Sequence, residues 1–158
     1  MAAAPPKSSA VLSTNALGSD LESMLPLTLL RVREAFMVRI RPLLADAGIT
    51  EAQWRTLRVL YRHNKLDFGE LADAAFVQRA SLTRIIKQLA DRSSVTRTIN
   101  QQDQRQVDIE LTAMGRELVD SLLPVIEATY EKIADQVGDP HLMGLRNALT
   151  DFIESLDG

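Results

Sequence analysis

Gln78, Arg79, Ser81, Thr83 and Arg84 crowd short polar and basic side chains into the predicted first turns of a helix, with Lys87 one turn further on. Such residues suit the base edges of a DNA groove. A guanidinium matches guanine O6 and N7, a carboxamide matches adenine, and a hydroxyl serves phosphate or base. Leu82, Ile85, Ile86 and Leu89 recur at i, i+3, i+4 and i+7, which buries one side and turns Arg84, Lys87, Gln88 and Asp91 to water. Taken alone, that is the pattern of any solvated helix lying on a core. The segments on either side make it more specific.

Downstream, Val95 to Asn100 and Gln106 to Leu111 read as two short strands joined by the polar run Gln101 to Arg105. In the second, Val107, Ile109 and Leu111 alternate with Gln106, Asp108 and Glu110, the period of a half-buried strand. Arg97 enters this ribbon. At its turn the Asp103–x–Arg105 pair lets a carboxylate hold a guanidinium out from the tip, which suits the narrow minor groove of A·T-rich DNA. The plain alternative is an exposed turn pair worth little energy. Upstream, Asp67 to Ala74 is a short helix signal. Helix, helix and ribbon over Phe68 to Thr112 is the layout of a winged helix-turn-helix.

The 158-residue chain carries a formal net charge of −3, which by itself argues against a nucleic-acid partner. The distribution reverses that reading. Residues 1–75 are net +1, residues 76–106 net +4 and residues 107–158 net −8, so the basic excess is concentrated in the predicted reading helix and ribbon. That is the footprint a phosphate backbone selects.

Along the chain, residues 1–19, rich in Ala, Pro and Ser, are expected to form a disordered arm. Residues 20–47 read as a first helix, capped by Asp20, with Leu25, Leu29, Val32, Phe36, Ile40 and Leu43/Leu44 on one stripe and Pro42 predicting a kink. Thr50–Glu–Ala–Gln53 is a capping box that opens the next helix, which is expected to bury Trp54, Leu57, Val59/Leu60 and Tyr61; Asp67–Phe–Gly–Glu70 repeats it. Residues 48–112 form the winged unit. Residues 113–158 hold two further helices, one striped by Leu118, Leu122, Ile126, Thr129 and Ile133. The other is striped by Leu142, Leu145, Leu149, Phe152 and Leu156. The last stripe is spaced like a heptad seam. The expected fold is therefore mostly α, about six helices around a two-stranded wing. The first helix and the last two carry more apolar surface than so small a unit covers, which favours a homodimer through the chain ends over an intramolecular helical pack.

Several classes are excluded or lack candidates. With no cysteine there is no disulfide, thiolate metal site or thiol nucleophile. His63 and His141 are isolated from each other and from any metal-ligand spacing, and neither a Ser-His-Asp order, an HExxH nor a phosphate-cradling glycine loop is present. No catalysis, cofactor or metal is expected. No apolar run approaches a membrane span and no secretory leader pattern is visible, so a bacterial cytoplasm is the expected compartment.

The run Asp103–Gln–Arg105–Gln–Val–Asp–Ile–Glu–Leu111–Thr112–Ala–Met–Gly115 resembles the signature D-x-R-x-x-x-(apolar)-x-L-T-x-x-G of the MarR family of bacterial transcription regulators. Glu70–Leu–Ala72, Ser81–Leu–Thr83–Arg84 and Arg97 agree with it, over about residues 21 to 156. Arg33–Glu–Ala35, Arg41–Pro42 and Thr50 to Arg55 look like the branch that represses homoprotocatechuate and related aromatic-acid catabolism. One departure stands out. Where the family has Gly-Leu-(Val/Ile) between reading helix and wing, this chain has Ser93–Ser94–Val95, so a serine must replace the glycine of a left-handed helix cap and the leucine's core contact is lost. A less firmly held wing is expected.

The resemblance implies a homodimeric repressor on a pseudo-palindromic duplex, released by a small aromatic carboxylate. Arg31, Arg33 and Arg41 would clamp the acid and Trp54 would supply an aromatic wall. Core packing for Trp54 and surface or inter-subunit ion pairs for the arginines are the competing readings. From a different class, the alternative is a winged-helix small-molecule sensor or protein-interaction module without DNA binding, which the acidic total and the Ser93–Ser94 departure favour.

Overall fold

Short-range hydrogen bonds set the helix ends in the computed structural model, in which residues 24–100 and 106–157 are described. Two units are distinguished, residues 1–39 and residues 40–158. Helix α1 (Leu25–Asp46) begins in the first of these, where Thr28 Oγ1 donates to the Met24 carbonyl at 3.2 Å and Arg39 to that of Ala35.

In the second unit α1 buries Ile40 and Leu44 and ends at Gly48, whose φ of +68° is the left-handed conformation glycine adopts without steric cost. There the Ile49 and Gly48 amides return to the carbonyls of Leu44 and Ala45, closing a Schellman motif. Helix α2 (Glu51–His63) opens on the expected capping box. Thr50 Oγ1 accepts from the Gln53 amide at 3.2 Å, and the Gln53 carboxamide accepts from the Thr50 amide at 2.8 Å. Asp67 and Glu70 repeat the exchange at the start of α3 (Phe68–Ala74). Each box satisfies two otherwise orphaned amide donors. The core runs through Leu57 and Leu60 of α2, Leu71 of α3, and Leu82, Ile86 and Leu89 of helix α4 (Arg79–Asp91), all essentially inaccessible.

The sheet differs from the expected two-stranded wing. Strands β2 (Val95–Ile99) and β3 (Val107–Leu111) pair antiparallel as expected, but β1 (Lys65–Asp67) lies on the other side of β3, giving the order β1-β3-β2. Three residues are too few to show a period, so β1 was not legible. Its presence also corrects the outward reading of Asp108. That carboxylate is 4% exposed, with Lys65 Nζ from β1 at 2.7 Å and the Asn100 carboxamide bonded to both of its oxygens. The Lys65 ammonium, then the Asn100 bonds, hold the Asp108 carboxyl below the usual carboxylate range.

Helix α4 joins the wing through Ser93 and Ser94. Ser93 takes the left-handed conformation that the sequence departure demands of it, with φ +56°. Its amide and that of Ser94 return to the carbonyls of Ala90 and Leu89, each at 2.8 Å, so the Schellman closure forms without glycine. Thr112, the cap of helix α5 (Ala113–Val137), then locks the junction. Its hydroxyl donates to the Ser93 carbonyl at 2.6 Å and accepts from the Gly115 amide at 2.9 Å, while its own amide donates to the Ser94 carbonyl at 3.1 Å. Ser94 is buried in place of the leucine. The serine thus costs backbone strain, and the hinge stays anchored.

Helices α1 and α5 run on through Pro42 and Pro124. Along α5, Gly115, Val119, Leu122, Ile126 and Ile133 are buried, with Val119 rather than the expected Leu118 facing inward. Helix α6 (Asp139–Asp157) buries none of its predicted seam: Phe152 is 43% exposed and Leu156 71%.

Two predictions follow from the sheet and the hinge. Because the folded Asp108 pKa is depressed, its stabilising contribution is complete above the unfolded value of about 4 and fades as pH falls through it toward the folded value. Urea midpoints measured from pH 6 down to pH 2.5 should therefore show the gap between wild type and Asp108→Asn closing below about pH 4. At the hinge, Ser93→Gly should stabilise by about 0.5–1 kcal/mol, relief of left-handed strain outweighing the unfolded-state entropy of glycine. Gly115→Ala should destabilise by about 3 kcal/mol or more, because its methyl would meet an immovable backbone oxygen. The two shifts in urea midpoint should have opposite sign.

Candidate nucleic-acid interface

Helix α4 presents two faces. Leu82, Ile85, Ile86 and Leu89 face the core, and Gln78, Arg79, Ser81, Thr83, Arg84 and Lys87 are all exposed. Gln78 is the N-cap residue, and its exposed side chain makes no capping bond. Thr83 Oγ1 donates back to the Arg79 carbonyl at 3.4 Å, a long contact on the exposed face. Arg84 and Lys87 have no carboxylate partner among the described residues, and Arg79 has only a loose one, Asp73 at 3.8 Å with both side chains more than two-thirds exposed. An ion pair of that kind contributes little and is readily exchanged for a phosphate.

Arg97 is exposed on β2 and, with Arg79, Gln106 and the first turn of α3, lines a groove of about 600 Å³. The reading helix and the root of the wing therefore share one concavity, in which the guanidinium groups of Arg79 and Arg97 stand with the carboxylates of Asp67, Glu70 and Asp73. Asp103 and Arg105, the expected wing-tip pair, lie outside the described residues.

The helix is braced from behind. The Gln53 carboxamide of α2, 6% exposed, donates to Gln88 Oε1 at 3.0 Å, which corrects the view of Gln88 as merely solvated. Arg55 Nε donates to the Ala75 carbonyl at 3.0 Å, holding the turn between α3 and α4. Arg92, counted in the basic stretch, is spent internally. Its guanidinium donates to the Gly48 and Ala47 carbonyls, where a cation also suits the negative end of α1. These contacts are not visible in a linear pattern, because they join residues twenty or more positions apart.

Of the residues expected to hold an acid, Arg41 is ion-paired with Glu51, and Trp54 is 8% exposed in the core. Arg31 and Arg33 stand exposed on the early part of α1, with Arg33 3.0 Å from Glu34. A group that sequence reasoning missed lies on α2 and α5. The Arg58 guanidinium sits over the Trp54 ring, 5.7 Å from its centroid. Its charge also reaches Tyr130, whose phenol is pushed up by burial and pulled down by Arg58. Arg58 has no carboxylate partner among the described residues. The i, i+4 spacing of Trp54 and Arg58 was the available signal; Tyr130 is too distant in sequence to have been linked. Beside it, Tyr61 donates to Asp120 at 2.6 Å and Arg116 to Asn64 at 2.6 Å while stacking on Tyr61, tying α2 to α5.

Comparison with known proteins agrees with this arrangement. The MarR family model matches residues 49–107. The transcriptional regulator FarR of Neisseria gonorrhoeae is 34% identical over 129 residues, covering 82% of this chain and 88% of FarR. The homoprotocatechuate degradative operon repressor of Escherichia coli is 34% identical over 133 residues, covering 84% and 90%. The crystal structure of NadR in complex with 4-hydroxyphenylacetate superposes with a TM-score of 0.70 at 35% identity, covering 80% of this chain and 89% of that one. With the winged helix-turn-helix built as the signature requires and relatives of this identity spanning most of its length, the chain belongs to the MarR family of transcriptional regulators.

Proposed function

We propose that this protein is a homodimeric repressor that grips a pseudo-palindromic duplex through α4 and the wing and lets go when a small aromatic carboxylate binds. The observation that carries the DNA half is the outward row from Gln78 to Lys87 on a helix whose opposite face is fixed to the core. Those side chains have few internal partners and stand in the chain's net-basic stretch. In this reading Arg84 and Arg79 read base edges, while Lys87, Arg97 and the Asp103–Arg105 tip neutralise or follow the backbone. Residues 48–112 act as the DNA-binding unit. Residues 20–47 and 113–158 act as dimerisation arms, supported by the uncovered apolar seam of α6.

For the ligand, relatives named for homoprotocatechuate catabolism and a neighbour that holds 4-hydroxyphenylacetate point to an aromatic acid. An arginine lying on an indole beside a phenol offers a cation for the carboxylate, an apolar wall for the ring and a hydrogen-bonding group for a ring substituent. Arg58 and Tyr130 therefore join Trp54 in the proposed pocket, ahead of Arg41, which serves Glu51. Arg31 and Arg33 of α1 are further proposed ligand-binding residues. Binding there would act on α2, and α2 touches the reading helix through Gln53 and Gln88. A ligand that favours one α2 position thereby shifts the reading helices relative to the half-site spacing.

Two measurements test this. Arg84→Ala and Arg105→Ala should each weaken binding to operator DNA by about tenfold, and Arg105→Ala should also lower the slope of log K against log salt by about one. Only Arg84→Ala should relax sequence preference, and gel shifts unchanged by the double variant would remove the DNA reading. At a hundredfold excess over Kd, 4-hydroxyphenylacetate or a hydroxybenzoate should raise Tm by about 5–10 °C, a shift that Arg58→Ala abolishes without unfolding the protein. No stabilisation by any of these acids would sink the ligand half alone.

A further inference from the structure

We propose that Phe76 is a specificity-determining contact to DNA whose ring packs on the 5-methyl group of a thymine at the edge of the half-site read by α4. This rests on the reading of α4 as a DNA-binding helix.

Phe76 occupies the turn between α3 and α4 with φ +50°, a conformation that suits glycine and disfavours a bulky side chain. The backbone there is over-determined. The Phe76 amide donates to the Asp73 carbonyl at 3.1 Å and the Val77 amide to that of Ala72 at 2.9 Å. Arg55 holds the Ala75 carbonyl, and Val77 is buried as the apolar stop of the motif. Glycine would make every one of those bonds. The ring adds nothing to them: at 88% it is the most exposed large apolar side chain among the described residues. A residue that strains its backbone and leaves its ring in water stabilises nothing inside the chain. Strain held in place in this way, with no internal return, points to a function outside it.

The surroundings select the partner. Phe76 stands two residues before Gln78 and three before Arg79, at the start of the stretch of net charge +4. A polyanionic duplex is the charge-complementary occupant, and the thymine methyl is the apolar group that a major groove presents to an aromatic ring. Its exposed neighbours in the chain, Asp73, Ala74, Gln78, Arg79 and Ala80, include no second large apolar side chain, so the ring is a single apolar point and not the patch that a protein partner would need.

The test uses the full-length protein and duplexes that the wild type enriches from a random pool. Phe76→Gly should raise the urea midpoint, since the strain is gone, yet weaken binding to the enriched duplex by about threefold to tenfold. Each thymine is then replaced singly by deoxyuridine, which lacks only the methyl. One such position, at the edge of the preference altered by Arg79→Ala, should weaken the wild type by a similar factor and leave Phe76→Gly unaffected. Unchanged affinity of Phe76→Gly overturns the proposal. So does a loss that is the same whichever thymine has been replaced, or a change of oligomeric state on light scattering, which would assign the ring to self-association. A wild type that enriches no duplex removes the DNA reading itself.

Discussion

The Ser94 carbonyl oxygen lies 2.0 Å from where a Cβ on Gly115 would stand. No real side chain tolerates that distance, so the end of the reading helix and the start of α5 approach this closely only because residue 115 has none. Thr112 fastens the same point with its amide and its hydroxyl. Three pieces of the molecule meet there: α4 through Ser93–Ser94, the wing through Leu111 and Val95, and the long helix α5. Their mutual placement is consequently held by this close approach together with the Thr112 hydrogen bonds. The L-T-x-x-G spacing is the sequence trace of this contact, and its chemistry explains why Thr and Gly stand three apart.

Basic residues divide into those consumed by the fold and those left outside it. Arg55 and Arg92 satisfy carbonyls at the ends of α3 and α1, Arg116 bridges α2 to α5, and Lys65 neutralises the buried Asp108. The Ala75 carbonyl and the Asp108 carboxylate belong to buried residues, where an unmet acceptor would be costly, while the bonds of Arg92 and Arg116 are exposed ties between elements. Arg84, Lys87 and Arg97 do no such work. The net charge of a segment therefore overstates its outward field: Arg92 belongs to the basic stretch in sequence and to a helix cap in space.

Much of the architecture was legible because it is encoded at short range. Thr50 with Gln53 and Asp67 with Glu70 are boxes closed within one turn, and Leu82, Ile85, Ile86 and Leu89 define a face by their period alone. The outward row of α4 follows from the same period. What failed to show was short or distant. Strand β1 has three residues, and the burial of Asp108 depends on it. For Arg58 only the i, i+4 pairing with Trp54 is local, and Tyr130, which gives that pair its chemistry, lies on another helix.

The sequence by itself determined where the helices start, which side of each faces the core and which residues are polar on the other side. Those properties depend on residues within one or two turns of each other. Tertiary structure decided which charges are spent and which are free, that a serine can hold the left-handed cap at Ser93, and that Arg58 lies on Trp54. Those outcomes depend on which distant groups come within hydrogen-bonding or stacking distance. Such proximity is created only when the core closes and leaves no period in the chain to read.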